Sequence, residues 1–562
     1  MMSSRIYGID LGTTYSCIGF VDENGKPVVV QNFEGDLTTP SAVYFESPDN
    51  IIVGKEAKNV AKLDPDRVVE FVKRDMGNPG FNREINGVSY KPEVVSSYIL
   101  RKLVEDASQS PEIGEKIIDV VITVPAYFGN SERAATINAG ELAGLNVKHI
   151  LNEPTAAAIC YGLDKSRDDQ IVLVYDLGGG TFDITVIAMK SGSVEVIVTG
   201  GNHHLGGKDW DNKLTEYLAA QFEAEHPDKG NPLDDKHSEQ ELLKTAEEAK
   251  KSLTARERYP LFVTHAGERV RVELTREKFE EVSRDLLEQT ITLTKSLLQE
   301  ASEKGYDKID QILLVGGSSK MPSVGRRIAE EFGIEQQLFE PDLAVAKGAA
   351  VAGSKILVGE LIKEVVAASQ GVNKDEIDLS KLDDKMLGAA IDEVVSTGGT
   401  NLRLPGKDLA DLVKKEFKNV CSKGFGVVAL DENRDKFVSF LIRKNTPIPT
   451  EVTVTEFGTL DDNQSDVNIE VMEQLGRVES NSMSDKENKL IGNGMLVGLP
   501  PNLPAGSPIH VTFRLGEDGV LFVKGLEPTS GKSLDFEIKV EGVMTQEEVE
   551  KLKGLVLKHK VS

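Results

Sequence analysis

"VLVYDLGGGTFDITVIA", residues 172–188, decides how the rest of the chain is read. Two apolar, β-branched runs flank Asp176, three glycines and Thr181, so the segment predicts two strands joined by a tight turn. A turn needs glycine, but it does not need a carboxylate and a hydroxyl at its ends. Residues 9–20, "IDLGTTYSCIGF", follow the same plan with Asp10, Gly12, Thr13, Thr14 and Tyr15. One such hairpin is an ordinary turn. Two of them in one chain read as a duplicated device.

The two hairpins carry what a nucleoside triphosphate requires. Glycines let backbone N–H groups approach phosphates closely. Hydroxyls bond phosphate oxygens, and carboxylates hold Mg²⁺, usually through its retained waters. Asp10 with Gly12, Thr13 and Thr14, and Asp176 with Gly178, Gly179, Gly180 and Thr181, supply this set twice. Facing each other across a cleft, they would clamp a β,γ-phosphate and its metal. A third glycine turn, "LLVGGSSK" (313–320), ends a strand and opens a helix, where an adenosine could lie on Gly316 and Gly317. There is no GxxxxGK[ST] motif, which disfavours a P-loop enzyme.

The chain has 562 residues and a formal net charge of −26, from 65 basic and 91 acidic residues. That balance argues against nucleic acid and anionic membranes as partners, since both require clustered Lys and Arg. Cys17, Cys160 and Cys421 are too few and too far apart for a disulfide framework or a cysteine-based zinc site, and they suit a reducing cytosol. "MMSSRIYGID" has no apolar leader, and no window of 18 apolar residues is present, so a cytoplasmic location is expected.

Strand-like and helix-like patterns alternate up to about residue 355, which predicts an α/β layered domain. "DVVITVPAYF" (119–128) reads as a buried strand and "SERAATINAGELAGL" (131–145) as a helix starting at a Ser N-cap. Residues 356–420 change character and read as a helical connector, with "GGTNLRLPG" as a loop. Residues 421–541 show short period-2 runs between Pro, Gly and Asn, the pattern of an all-β module. Asp518-Gly519 reads as a hairpin turn in it, and 542–562 as a short tail with at most one helix.

"IDLGTTYSC", "VITVPAYF", "LNEPTAAAICYGL", "YDLGGGTFDIT", "HLGGKDWD" and "LLVGGSSKMP" resemble the motifs of the 70-kilodalton heat-shock chaperones, of the actin-like ATPase superfamily. The resemblance covers residues 5 to about 355 and resumes at about 436–541 with "LIRKNTPIPT", "DDNQSDVNIEV" and "GLPPNLPAGSPIHVTF". It implies a two-lobed actin-like ATPase domain followed by an antiparallel β-sandwich that binds peptide. It implies slow hydrolysis of ATP with Mg²⁺, with K⁺ the candidate monovalent ion.

The resemblance carries roles residue by residue. Thr13, Thr14 and Tyr15 would bind phosphate and the monovalent cation, with Asp183 near that ion. Asp10 and Asp176 would hold Mg²⁺ through water, and Glu153 would order its water shell. Lys73 would act at the γ-phosphate, with Thr181 beside the attacking water. Gly206 and Gly207 join the phosphate glycines. Glu247, Lys250, Lys251 and Thr254, with Gly316, Gly317, Ser318, Lys320 and Asp342, would line the adenosine pocket. Pro125 and Arg133 would relay nucleotide state to the β domain, where Val467, Leu460, Phe457 and Ile469 would meet an extended apolar client. J-proteins and a nucleotide-exchange partner are the implied co-factors of such a cycle.

Four departures stand beside the match. No leucine-rich acidic linker is found in 356–420, and no long helical lid follows the sandwich. Arg434 and Leu460 stand where the family has an apolar arch residue and an alanine. Lys251 and Lys320 stand where it has two arginines around the adenine. These favour, as the rival reading, a nucleotide-binding regulator or co-chaperone scaffold with little turnover. A small-molecule kinase is a third reading, and nothing in the second domain resembles a sugar-binding lobe.

Overall fold

The computed structural model describes residues 5–78, 80–162, 169–190, 192–398, 400–474, 476, 479–516, 519–537 and 543–562. Its first two sheets are built alike. In the first, the hairpin Tyr7–Asp10/Tyr15–Val21 continues on one side into antiparallel Pro27–Val29. On the other side it continues into parallel Asp119–Val124 and Asn146–Asn152. In the second, the hairpin Gln170–Leu177/Phe182–Lys190 continues into antiparallel Ser193–Asn202. Parallel Gln311–Val315 and Gln336–Leu338 complete its other side. Each lobe therefore has its glycine hairpin at the centre of the sheet, with strands buried on both faces, as their nearly continuous apolar composition requires.

The 27-residue helix Ala344–Gln370 holds the lobes together. Its small-residue run permits very close approach. A Cβ on Gly348 would lie 1.8 Å from Ala156 O, and one on Gly8 would lie 2.2 Å from Ala350 N. The boundary expected at 355 falls in the middle of this helix. The helices Asp384–Ser396 and Gly406–Lys414 then pack back on it, burying Leu387, Ile391, Val394 and Leu409 against Val358, Ile362 and Val366. The stretch read as a connector is thus part of a core cluster that the two lobes share, because its helices present one apolar face each. One other local correction concerns a cap: the helix Asn130–Leu142 is capped by Gly129 rather than by Ser131.

Strand Glu416–Val420 adds to the edge of the second sheet, parallel to Ser193–Asn202, and then pairs with Pro447–Ile448 of the β module. That module is two four-stranded antiparallel sheets around Phe425, Val427, Ile442, Val471, Val511 and Phe513. Pro508–Leu515 and Leu521–Glu527 pair as the expected hairpin, while Asp518 of its turn lies outside the described residues. The last segment is not a loose tail. Helix Gln546–Val556 buries Val549 and Val556 in the core of the first lobe, and Lys560–Val561 pairs parallel to Asn50–Val53.

Candidate functional site

Both hairpins reach the cleft between the lobes and interlock there. In the first, Gly12 N–H donates to Ser16 Oγ at 3.0 Å, and Ser41 Oγ donates to Gly12 O at 2.7 Å. In the second, Gly178 N–H donates to Thr181 O at 3.0 Å, and Asp176 pairs directly with Asp183 across the ladder. A Cβ on Gly179 would sit 1.4 Å from Thr14 Oγ1, and one on Gly180 would sit 2.2 Å from Thr13 Cγ2. Gly206 is as tight, 2.6 Å from the Gly180 backbone. Only glycine allows the two turns to touch.

Behind the hairpins lies a buried charge cluster. Asp10, Asp176, Asp183 and Glu153 surround one ammonium, Lys73, on the turn Val72–Asp75. Lys73 Nζ donates to Glu153 Oε1, and both side chains are buried. Burial and the Glu153 carboxylate push Asp10 and Asp183 up to about 7, and push Asp176 well above the carboxylate range. Four carboxyls against one lysine leave an excess of negative charge that a divalent cation would relieve. Among the described residues no three carboxylates are close enough to hold a bare ion. Mg²⁺ keeps several of its waters when protein-bound, so this set fits it through those waters.

The cleft has a volume of about 510 Å³. Its walls bring together Asp10, Gly12, Thr13, Thr14, Tyr15, Lys73, Glu153, Asp176, Gly178, Gly179 and Thr181. Gly207, Glu247, Lys250, Lys251, Thr254, Gly316, Gly317, Ser318, Lys320 and Asp342 line the rest. Gly180, Gly206 and Asp183 lie just behind, not on the surface of the cleft. Gly316 needs its φ of 81°, and a Cβ there would meet Asp176 Oδ1 at 2.4 Å.

The lysines on the wall formed by Glu247, Asp211 and Asp342 are committed to carboxylates. Glu247 pairs with Lys58 at 2.6 Å and with Lys251 at 2.7 Å, and it accepts from Tyr15 OH at 3.3 Å. Burial opposes ionisation of Glu247, but the two ammoniums outweigh it and hold the carboxyl well below its usual range. Lys250 bonds Asp211 at 2.7 Å and Gly207 O at 2.8 Å, and Lys320 pairs with Asp342. Lys251 and Lys320 thus line the cleft as paired ions rather than as free plates over a base.

Sequence reasoning passed over Lys208, Asp211, Thr38 and Val345, which also line the cleft, and Arg74. Arg74 donates to Gly180 O at 2.9 Å and pairs with Asp209 at 2.6 Å, so it braces the second hairpin. "HLGGKDWD" was the available signal, but only its glycines carried a role.

The segment that holds Pro125 and Arg133 joins the cleft to the sandwich. Tyr127 N–H donates to Asp183 Oδ1 at 3.4 Å, while Lys423 of the sandwich lies 3.5 Å over the Tyr127 ring. Pro125 O accepts from Phe128 N–H at 3.1 Å, and Arg133 Nε donates to Phe128 O at 3.1 Å. Phe128 O also accepts from Ser422 Oγ, and Asn130 N–H donates to Glu473 Oε1 at 3.5 Å. In the sandwich, Val467 and Phe457 are half-buried, Leu460 is exposed, and Ile469 is sealed in the core between the sheets.

The family model described as "Hsp70 protein" matches residues 6–87, 77–386 and 369–561. The chain belongs to the Hsp70 family. Two similar relatives are the chaperone protein DnaK of Halobacterium salinarum strains R1 and NRC-1. Each is 36% identical over 561 residues, which is 98% of this chain and 78% of the relative. The two lobes and the sandwich are accordingly the actin-like ATPase domain and the β-sandwich of an Hsp70 protein. Hsp70 proteins are ATP-dependent chaperones whose ATPase uses ATP and Mg²⁺. Among the described residues no helix is long and apolar enough to cross a membrane.

Proposed function

We propose that this Hsp70 protein hydrolyses Mg-ATP between its interlocked hairpins and binds extended apolar segments of unfolded proteins on its sandwich. The observation that carries this reading is Tyr127. Its backbone is bonded to a carboxylate of the nucleotide cleft, and its ring meets a lysine of the client-binding domain. Backbone N–H groups of the two turns cradle the phosphates, and Thr13, Thr14 and Thr181 add hydroxyls. Lys73 and Glu153 face the transferring group. Asp10 and Asp176 hold the waters of Mg²⁺, which neutralises phosphate charge, and Asp183 and Tyr15 attend a monovalent cation such as K⁺. Catalysis of this kind is positional and electrostatic. Val467, Phe457 and Leu460 shape the client channel, and Ile469 supports it from the core. J-proteins and a nucleotide-exchange factor are its expected partners, in the cytoplasm.

Steady-state ATP turnover with and without an unstructured apolar peptide tests the reading. Peptide-stimulated turnover is the expected result. Tight ATP binding with no turnover in either condition would leave the regulator.

A further inference from the structure

Four of the ammonium groups that line the nucleotide cleft are ion-paired: Lys73 with Glu153, Lys250 with Asp211, Lys251 with Glu247, and Lys320 with Asp342. Lys208 is the exception. Among the described residues no carboxylate lies within ion-pair distance of its Nζ, which instead sits 4.1 Å over the Phe71 ring. Burial, then the Arg74 guanidinium, disfavours its charged form, against the longer-range pull of Asp209, Glu70 and Asp75. An unpaired, partly desolvated ammonium is a standing invitation to an anion.

Its position is equally specific. The Lys208 N–H donates to Gly179 O at 2.8 Å, so the residue is anchored to the phosphate hairpin. A second cleft, of about 450 Å³, lies beside the first, and Lys208, Asp211 and Glu247 belong to the walls of both. The second cleft is floored by Val68, Val69, Phe71 and Phe81, and it carries the cations Lys58, Lys62, Arg83 and Lys244 as well as Glu70 and Glu239. Burial raises the Glu70 carboxyl. A chamber lined by charges of both signs offers an anion successive partners on the way to solvent, while its carboxylates keep it from being a closed anion trap.

We propose that Lys208 is the gate at which cleaved inorganic phosphate is received, and that phosphate leaves through the second cleft. The inference rests on the ATP-hydrolysing reading of the first cleft. A lysine meets phosphate as a point charge. A hydrogen bond to a charged group is typically worth a factor of about ten or more in affinity.

Two measurements test it. Equilibrium dialysis of radiolabelled inorganic phosphate against the protein loaded with ADP and Mg²⁺ reads the gate. Lys208→Ala should weaken phosphate binding about tenfold or more, while Lys208→Arg, which keeps the charge, should stay within about threefold of the parent. Single-turnover acid quench against a fluorescent phosphate sensor reads the path. Leu243→Trp, which narrows the second cleft without touching the first, should leave cleavage unchanged and slow release about fivefold or more. Equal phosphate affinity in the parent and Lys208→Ala, or no phosphate binding by the parent, overturns the gate. Unchanged release in Leu243→Trp overturns the path. The dialysis needs no turnover, so a failure of hydrolysis itself is seen separately.

Discussion

Lys73 is the residue on which the proposed chemistry of the cleft rests. Its ammonium is enclosed by Glu153 and three aspartates, and its rotamer is fixed by that pairing before any phosphate arrives. Preorganised charge of this kind acts on the transition state without reorganising. Lys73→Ala should therefore lower ATP turnover by about 10²–10³ while ATP still binds, held by the hairpin N–H groups and the adenosine wall. Single-turnover cleavage beside an ATP titration checks it, and equal cleavage in the two proteins removes Lys73 from the reaction. At this scale the sequence was most readable where the backbone must be special. The glycine hairpins announce themselves because no other residue lets them touch. Lys208 and Arg74 were hidden because a charged residue looks the same on a wall as on a solvated face.

Elements were harder to place than residues. An amphipathic helix has the same pattern whether it packs on a lobe or bridges two domains, since only the partner differs. Gly406–Lys414 was legible as a helix for that reason, Asp384–Ser396 was not singled out, and the burial of both on Ala344–Gln370 was hidden. The small residues of "AVAKGAAVAG" are a stronger signal, because such a run suits a helix pressed against backbone. The distinction can be measured. Ile391 is 2% exposed inside the core cluster that the two lobes share. Ile391→Ala should lower the stability of the nucleotide-binding lobes by about 2–5 kcal/mol, the cost of a deleted core side chain and its cavity. Urea unfolding of the full chain, followed by loss of bound fluorescent ADP, reads that transition. An unshifted midpoint would return the segment to the role of a connector.

Among the described residues, contacts far apart in sequence hold the molecule closed at several places, none of which has a local sequence signature. Strand Glu416–Val420 belongs to the ATPase sheet and pairs with the sandwich. The C-terminal segment returns to the first lobe, where Tyr98 OH bonds His559 Nδ1 at 2.7 Å across 461 residues, and Arg101 donates to Val556 O and His559 O. Between them, the Tyr127–Arg133 face meets the sandwich around Glu473. Long-range contacts of this kind depend on how finished elements meet, so no window of the chain reveals them.

The last contact makes closure depend on pH. Glu473 is 1% exposed. Burial and Glu132 raise its carboxyl from 4.5 to about 7, against the opposing pull of Lys423, the Asn130 N–H and Lys489. The closed state thus prefers the neutral acid. Its contribution is fully present below about 4.5 and is lost as pH rises through about 7. Lys423 works in the opposite sense and at higher pH. Burial lowers it from 10.5 to about 8, so the closed state regains stability only as that amine loses its proton. Docking should therefore be weakest between about 7 and 8, where both groups are charged, and should tighten on acidification toward about 6.5. Below that, His203, which packs on Tyr127 and whose imidazolium is disfavoured by burial and by Lys423, opposes closure. A shift of this size corresponds to at most about 3 kcal/mol. Energy transfer between dyes on the ATPase domain and the sandwich, read at pH 6.5 and 7.5, measures it. The parent should show a larger closed fraction at 6.5. Glu473→Gln, which cannot ionise, should show nearly the same fraction at both. If the pH response persists in Glu473→Gln, other groups control the interface.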